Sequence, residues 1–599
     1  MATEAPRIET DAANFNKLSE ALTAAAGKSH DLMQGFLENP ANTKMLKWDP
    51  MGVGTTFLDV TMSLMKQPDK ILDAHKAAWD AHVDLWAGAV TKMMGNNGAS
   101  GGKKKFDKRF KHEAWEKHPF FDYVKQSYLV TADTIQSLVS DVEHDDEKTA
   151  AKAEFYTKLF VEALSPSNFA MTNPEVLEAT IQSKGENLVK GMQNFVNDFD
   201  TENGELRIRM TDLEAFELGE NVAVTPGKVV FQNRMMQLVQ YEPSTKKVHK
   251  RPLLIVPPWI NKFYVLDLQP KNSMIKWAVD QGHTVFVISW VNPDETYRDV
   301  DFGDYVLDGT LTALDAMEKA TGENSFNVAA YCIGGTLLAA TLSYMAQKKD
   351  DRIASATFFT TMMDFSYPGE LGVFIDENQL DDLDKQMFES GYHDGKRMAM
   401  TFNLMRSNDL IWSFFISNYL MGKEPFPFDL LYWNSDSTRM PAQMHSTYLR
   451  CMYLNNEFKD GGLQVGDVKA DLSKVKVPAY FISAEEDHIA PWKSTYLGTS
   501  LFSGPVSFVL GKSGHIAGIV NPPAANKYGY FTGPKPNKLT ADEWYEKTKF
   551  HEGSWWTHWD KWLTAQNGGK DAEQVAARVP GDGKLKALED APGSYVKVR

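Results

Sequence analysis

Cys332 is the residue of this sequence best placed to do chemistry. It stands in the run VAAYCIGGTL over residues 328–337, where an apolar stretch leads into small–x–Cys–x–Gly and a helical pattern follows. This pattern is typical of the nucleophile elbow of the α/β-hydrolase fold, with cysteine in place of serine. The turn is tight, so the residues two before and two after the nucleophile must be small, and Ala330 stands where glycine is usual. A helix that begins at this point favours the thiolate, and its first amide, that of Ile333, is predicted to be an oxyanion donor.

An acid and a histidine are expected later in the chain, in the order that this fold gives them. Asp487 follows the apolar run 479–484, and His515 follows the apolar run 506–510. His488 competes with His515 for the role of base. It adjoins the acid in sequence, however, whereas a base must turn its other nitrogen toward the acid from a separate loop. We therefore predict that the cysteine, Asp487 and His515 form a catalytic triad.

The second oxyanion donor is expected in the loop after the first central strand. This loop reads PPWINK over residues 257–262, and the amide of Trp259 or Ile260 is predicted to be the donor. The other cysteine, Cys451, lies in a helical stretch and is interpreted as a buried, inert side chain.

Short apolar runs that alternate with helical patterns supply the elements needed to position these residues. Six such runs are predicted to be strands: 253–256, 285–288, 326–330, 356–359, 479–482 and 506–510. Strands that alternate with helices form βαβ units and a mostly parallel sheet. The predicted fold class is therefore α/β, with an α/β-hydrolase catalytic domain over residues 206–599.

A long insertion separates the fourth of these strands from the fifth. Roughly 110 residues lie between them, far more than an ordinary βα connection needs. The stretch is rich in aromatic residues. We interpret residues 362–472 as a cap or lid over the carboxyl edge of the sheet, where open α/β sheets bind ligands.

The N-terminal region, residues 1–205, is predicted to be an all-helical domain. Apolar residues recur there at three- and four-residue steps, notably over 12–96. The run GNNGASGG over 95–102, followed by three lysines, predicts a linker near 95–105. This region carries no catalytic constellation.

Composition excludes several classes of protein. The 599 residues carry a formal net charge of −16, which argues against a nucleic-acid binder that works by neutralising phosphates. Two cysteines cannot support a disulfide framework, and no secretory signal or transmembrane stretch is recognised. Motifs for a metal or a dinucleotide are missing as well, so we expect no metal, no cofactor and a cytoplasmic protein.

Further short runs, from about residue 106 to the C-terminus, match those of one enzyme family and occur in the same order. They are 110–115, 122–123, 165–169, 172–174, 216–219, 225–227, 257–264, 267–268, 330–335, 406–410, 427–434, 486–489, 513–518, 521–523 and 553–556. With these runs, the chain resembles class I polyhydroxyalkanoate synthases. Residues 1–100 carry little of the resemblance.

The resemblance implies an acyltransferase that polymerises (R)-3-hydroxyacyl-CoA, usually 3-hydroxybutyryl-CoA, into a polyester and releases coenzyme A. Cys332, Asp487 and His515 match the catalytic residues of the family. It further implies a homodimer at the surface of a cytoplasmic polyester granule, with no cofactor besides the CoA substrate. The amphipathic N-terminal helices are interpreted either as a surface for dimerisation, granule contact or granule coat proteins, or as a packing domain that stabilises the catalytic one. The candidates for substrate contact are His488, Asp267, Arg406 and Trp433.

Cysteine suits this chemistry because its attack on acyl-CoA exchanges one thioester for another, and the acyl group stays activated. The incoming 3-hydroxyl must then lose its proton to Asp487 or His515, and the sequence does not distinguish the two. Water would hydrolyse the acyl-enzyme, so the insertion is expected to be a mobile lid. The alternatives are a hydrolase with the same triad, namely an esterase, thioesterase or polyester depolymerase, and a non-catalytic granule protein.

Overall fold

The structure is a computed structural model that describes residues 56, 60, 67–93, 107–144, 146–200, 205–536, 538–569 and 573–599. The predicted linker near 95–105 lies outside these residues, as does most of the helical stretch predicted over 12–96. The chain divides into two compact units. The first comprises residues 1–212 and 402–426, and the second comprises residues 213–401 and 427–599.

The first unit is helical wherever it is described, apart from the short pair of strands Phe199–Asp200 and Glu205–Leu206. Its α-helices are Pro68–Met93, Ala114–Lys117, Pro119–Asp141, Glu147–Ala163, Pro174–Gln182 and Glu186–Asp198. Asp146 and Asn173 cap two of these helices by accepting hydrogen bonds from backbone amides in the first turn.

The predicted cap is divided between the two units, because residues 402–426 belong to the first. They form the π-helical segments Asn408–Trp412 and Phe415–Leu420. Asn187 donates to the Leu420 carbonyl at 2.8 Å, and Asn194 donates to the Asn418 carbonyl at 3.1 Å. These bonds satisfy backbone carbonyls of the segment, so it is part of the helical unit.

An eleven-stranded sheet forms the centre of the second unit. In chain order its strands are β1 (Gly227–Gln232), β2 (Met236–Tyr241), β3 (Leu253–Val256), β4 (Val285–Trp290), β5 (Phe326–Tyr331), β6 (Ile353–Phe359), β7 (Ala479–Ala484), β8 (Val506–Gly511), β9 (Tyr530–Thr532), β10 (Lys549–His551) and β11 (Glu589–Asp590). Across the sheet the order is β10-β9-β8-β7-β6-β5-β3-β4-β2-β1-β11.

The six predicted strands are confirmed as β3 to β8, and they pair in parallel. The prediction of a mostly parallel sheet holds only for this centre. Both edges add antiparallel strands that the sequence analysis missed. Since β5 pairs with β3 and not with β4, the strand order reverses at β3, and this reversal opens a crevice at the carboxyl ends of β3 and β5.

Successive residues of the central strands enter different cores. In β3, Leu254 and Val256 pack in the core on one face, and Leu253 and Ile255 pack in the core on the other. The helices of this unit are Met274–Asp280, Phe302–Asp304, Thr312–Thr321, Ile333–Lys348, Glu377–Ser390, Asp429–Ser435, Ala442–Thr447, Trp492–Gly498, Ala541–Glu546 and Trp556–Gln566. The helix Gly395–Met405 contains the point at which the chain passes between the units.

The second unit also contains short elements. Besides several 3-10 turns, they include the π-helical segments Tyr305–Leu311 and Tyr448–Leu454 and the strand pairs Tyr392–His393 with Met440–Pro441, Gln464–Val465 with Val468–Lys469, and Lys247–His249 with Gln574–Ala576. Among the described residues, no helix is both long enough and apolar enough to cross a membrane.

Candidate active site

Cys332 occupies a strained turn between β5 and the helix Ile333–Lys348. Its backbone has φ 53° and ψ −125°, a conformation that non-glycine residues seldom adopt and that costs about 1–3 kcal/mol. The turn is held by the Cys332 amide, which donates to the Phe359 carbonyl at 2.9 Å, and by the Gly335 amide, which donates to the Cys332 carbonyl at 2.8 Å. The side chain is half-buried at the amino end of the helix.

The small residue at position 334 is required by the neighbouring strand. A Cβ on Gly334 would lie 2.5 Å from the Val256 carbonyl oxygen and 2.8 Å from that of Pro257. Glycine therefore allows the helix to begin directly beside the end of β3. As a result, the loop that starts at Pro257 is adjacent to the first turn of the helix, whose amides have no partner within the helix.

Asp487 and His515 are brought together by two loops that extend the pairing of β7 and β8. The Glu485 amide donates to the Gly511 carbonyl at 2.8 Å, and the Glu486 amide donates to the Ser513 carbonyl at 2.9 Å. Beyond these bonds, Nδ1 of His515 lies 2.6 Å from Oδ2 of Asp487. The other carboxylate oxygen of Asp487 accepts the amides of Ile489 and Ala490, both at 2.9 Å.

His515 is buried, and its surroundings favour the imidazolium. Burial opposes protonation, but the charges of Asp487 and Cys332, together with hydrogen bonds to both side chains, outweigh it and raise the pKa of His515 to about 10. The ring thus connects the carboxylate to the thiol, with Nδ1 turned to Asp487. The three residues predicted as a triad are in mutual contact through this histidine.

Tyr331, the residue before the nucleophile, fixes the histidine loop. Its hydroxyl donates to the His515 carbonyl at 2.9 Å, and its ring stacks on the imidazole with centroids 5.4 Å apart. Sequence analysis missed this role. The available signal was an aromatic residue at the last position of the elbow strand, where its side chain leaves the sheet on the face opposite to that of Ala330.

The backbone of the loop that contains Trp259 and Ile260 is held by hydrogen bonds from a residue outside the loop. The hydroxyl of Thr438 donates hydrogen bonds to the backbone carbonyls of Trp259 and Ile260. With the carbonyls held in this way, the amides of the loop have a fixed direction beside the start of the helix. Ile333, Trp259 and Ile260 thus lie at the same end of the sheet as the nucleophile.

Trp433 supports the same loop through a hydrogen bond to its backbone. Its indole nitrogen donates to the Lys262 carbonyl at 2.7 Å, and the Lys262 ammonium forms a buried ion pair with Asp436 at 2.7 Å. The Tyr264 hydroxyl also donates to Asp436, at 2.8 Å. Burial lowers the pKa of Lys262, and the attraction of Asp436 opposes this change. The structure therefore places Trp433 against the loop that is predicted to contain the second oxyanion donor.

The other predicted substrate residues have different surroundings. Asp267 is buried and accepts hydrogen bonds from Thr225 at 2.5 Å and Ser273 at 2.6 Å, and burial raises its pKa to about 6. His488 is half-buried on the loop of Asp487. Arg406 belongs to the first unit, where it pairs with Asp409 at 2.5 Å.

Two tyrosines that the sequence analysis did not select complete the surroundings of the thiol. Tyr448 and Tyr453 are buried, hydrogen-bond to each other and interact electrostatically with Cys332. They lie on the π-helical segment Tyr448–Leu454, a rare element that often occurs at functional sites.

This arrangement can carry out acyl transfer. A nucleophile at a helix amino end, a buried acid–histidine pair and a fixed amide-bearing loop are the parts of a site that forms and breaks an acyl-enzyme.

Two family models match the chain. Residues 106–278 match the family described as poly-beta-hydroxybutyrate polymerase (PhaC) N-terminus, and residues 231–522 match the alpha/beta hydrolase fold family. The second match confirms the predicted fold class of the catalytic region.

Individual relatives match over most of their length. The chain is 50% identical to the poly(3-hydroxyalkanoate) polymerase subunit PhaC of Rhizobium meliloti, covering 91% of this chain and 88% of the relative. It is 48% identical to the poly(3-hydroxyalkanoate) polymerase of Methylorubrum extorquens, covering 99% and 98%. It is 41% identical to the corresponding subunit of Cupriavidus necator, covering 82% and 83%.

Proposed function

The chain belongs to the poly(3-hydroxyalkanoate) polymerase family, and we propose that it polymerises (R)-3-hydroxyacyl-CoA through a covalent thioester on Cys332. The single observation that carries the assignment of residues is the contact of His515 with both Asp487 and Cys332. The enzyme is an acyltransferase. The preferred substrate is 3-hydroxybutyryl-CoA.

In the first step the Cys332 sulfur attacks the thioester carbonyl of the substrate. The carbonyl oxygen becomes negative, and the amides of Ile333 and of Trp259 or Ile260 donate to it. When the intermediate collapses, the bond from carbon to the CoA sulfur breaks. The leaving thiolate takes the proton that His515 received from the cysteine, so the step is balanced without a further reactant.

In the second step the 3-hydroxyl of another acyl unit attacks the acyl-Cys332 thioester. An oxygen–carbon bond forms, the carbon–sulfur bond to Cys332 breaks, and the chain is extended by one unit. We assign the hydroxyl proton to His515, since both oxygens of Asp487 already accept hydrogen bonds from His515, Ile489 and Ala490. Asp487 stabilises the resulting imidazolium.

Retention of the acyl-enzyme requires that water be excluded. We assign this task to the parts of residues 362–472 that belong to the second unit, acting as a lid that opens for acyl-CoA and for the growing chain. Support comes from Tyr448 and Tyr453, two buried tyrosines of this stretch that interact electrostatically with Cys332.

A hydrolase with the same triad is the alternative, and the comparisons do not favour it. The relatives that cover 82% or more of the chain are named as polymerases. We further propose that the protein acts as a homodimer on the surface of a polyester granule in the cytoplasm, without a cofactor, and contacts granule coat proteins there. Binding of purified protein to polyester particles, with and without coat protein, tests this assignment.

The function is tested by incubating purified protein with (R)-3-hydroxybutyryl-CoA and separating insoluble polyester from free acid. We expect release of coenzyme A together with polymer, and neither from Cys332→Ala. Cys451→Ala is the matched control, because burial raises the pKa of that thiol to about 11 and keeps it protonated. Free acid without polymer would establish a hydrolase, and an active Cys332→Ala variant would exclude the covalent route.

A further inference from the structure

Tyr448 and Tyr453 form a buried pair of phenols in the second unit. Their rings meet at an interplanar angle of 83° with centroids 5.4 Å apart, and their hydroxyls are hydrogen-bonded to each other. Five positions apart on the π-helical segment Tyr448–Leu454, they lie one above the other, because a π-helix bonds residues at that spacing.

The pair interacts with the groups of the proposed triad, and one aromatic residue packs against both rings. Both phenols interact electrostatically with Cys332, and Tyr453 also interacts with Asp487. Phe365 packs edge-on against both rings, with centroid distances of 6.4 Å to Tyr448 and 4.8 Å to Tyr453. The two phenols therefore add polar groups to the surroundings of Cys332, next to the apolar ring of Phe365.

A third polar side chain, that of His445, adjoins Tyr448. His445 stacks on His393 with centroids 4.8 Å apart, and its ring centroid is 6.2 Å from that of Tyr448. It is 1% exposed, and neither ring nitrogen has a hydrogen-bond partner among the described residues. A buried imidazole without a partner is costly, so such a group indicates a ligand or an ordered water.

The chemistry of these three side chains fits one part of the substrate. A poly(3-hydroxyalkanoate) chain consists of apolar segments joined by ester carbonyls, which accept hydrogen bonds and donate none. Phenol hydroxyls donate, and a neutral imidazole donates from one nitrogen. We propose that Tyr453, Tyr448 and His445 form a subsite that binds the ester carbonyls of the polymer chain while its end is attached to Cys332. This inference rests on the proposed polymerase function.

The subsite predicts a dependence on the number of ester bonds in the donor. The acyl group of 3-hydroxybutyryl-CoA has no ester carbonyl, whereas its linear trimer, as a CoA thioester, has two. We expect Tyr448→Phe and Tyr453→Phe each to lower kcat/KM for acylation of Cys332 by the trimer thioester about five- to tenfold, the effect of one lost hydrogen bond. Acylation by the monomer thioester should fall by a smaller factor, because the monomer presents no ester carbonyl to the phenols.

Tyr496→Phe is the matched control. This tyrosine is also buried in the second unit, but its hydroxyl donates to the carbonyls of Pro536 at 3.0 Å and Leu539 at 3.1 Å. It should affect both donors equally. The infrared carbonyl band of a ¹³C-labelled trimer on Cys332 gives a second readout, which should move to higher frequency in Tyr453→Phe and stay unchanged in Tyr496→Phe.

Each outcome decides the question. An equal fall for monomer and trimer in the tyrosine variants, or no change for either, would overturn the subsite. If the wild-type protein releases coenzyme A from the monomer but forms no polymer, the proposed polymerase function fails, whatever the tyrosine variants do. Polymer formation together with a trimer-selective loss supports both.

Discussion

Replacement of Asp487 by asparagine removes the charge that holds the proton on His515. The perturbation is local, because Oδ1 of the asparagine can still accept the amides of Ile489 and Ala490, which the aspartate accepts at 2.9 Å. What is lost is the charge beside Nδ1 of His515, now 2.6 Å from a carboxylate oxygen.

The size of the effect follows from this contact. Unit charges about 4 Å apart attract by about 4 kcal/mol at an effective dielectric constant of about 20. Each 1.36 kcal/mol is a factor of about ten in rate, so we expect acylation of Cys332 to slow about 10³-fold at pH 7. An asparagine amide that donates to His515 would also hold the wrong tautomer and add to the loss.

The pH dependence should change in a defined direction. The carboxylate and the cysteine raise the pKa of His515 to about 10 against the opposing effect of burial. Without the carboxylate, burial is opposed by the cysteine alone and the pKa falls. The alkaline limb of the acylation rate, which reports loss of the imidazolium proton, should therefore move to lower pH by about two units or more.

The assay is release of coenzyme A in a single turnover, with acyl-Cys332 followed by mass spectrometry from pH 6 to 11. Glu486→Gln is the control, because it removes a neighbouring carboxylate that is exposed to solvent, and its rate should stay within about twofold of wild type. An Asp487→Asn variant that acylates within tenfold of wild type, or whose alkaline limb does not move, would refute this account of His515.

Three further predictions concern the groups that support the site. Gly334→Ala should lower the free energy of unfolding in urea by about 2–3 kcal/mol, because its Cβ would lie 2.5 Å from a backbone carbonyl of the adjacent strand, whereas Gly88→Ala, with nothing within 4 Å, should be neutral or stabilising. Lys262→Met should lower the free energy of unfolding by about 3–5 kcal/mol, because it leaves the buried Asp436 carboxylate without the Lys262 ammonium. Adding Asp436→Asn should restore most of that stability. A double variant no more stable than Lys262→Met would contradict this prediction. Burial raises the pKa of Asp267 to about 6 from an unfolded value of 3.8, so the charged carboxylate lowers the free energy of unfolding above pH 6, and this cost disappears as the pH falls from 6 to 3.8. Asp267→Asn should therefore be more stabilising at pH 8 than at pH 3.5, by about 3 kcal/mol. A difference in stability that is the same at both pH values would show that the pKa of Asp267 does not change on folding.

The centre of the fold could be predicted from the sequence because β3 to β8 are buried on both faces and therefore read as continuous apolar runs. The missed strand β2 shows why the edges could not. Its Gln237 and Gln240 interrupt the apolar pattern, yet both are buried, because they bond to the backbone at Tyr595 and Arg578 respectively. Those partners lie more than 330 positions away in the chain, so no local pattern could reveal them.

The residues of the proposed triad directly follow strand ends, and the strand ends could be predicted from the sequence. Cys332, Asp487 and His515 follow β5, β7 and β8, so their meeting at one edge follows from a parallel sheet and from chain order. Arg406 and Trp433 were selected from short runs outside the predicted strands. Their surroundings depend on which backbone carbonyls they or their neighbours contact, as with the bond from Trp433 to Lys262.

The groups proposed to form the acyl-enzyme and the groups proposed to select its acceptor belong to different parts of the chain. The elbow, the loop over 257–262 and the acid–histidine pair all directly follow strands of the sheet. They can form an acyl-enzyme whether water or a hydroxyl group then accepts the acyl group. Tyr448 and Tyr453 belong to the insertion between β6 and β7 instead, and they interact with the same sulfur. Polymerisation therefore requires that the insertion hold the chain and exclude water while the sheet activates the thioester. A variant of the insertion should accordingly change the ratio of polymer to free acid, and a variant of the triad should change the rate of both.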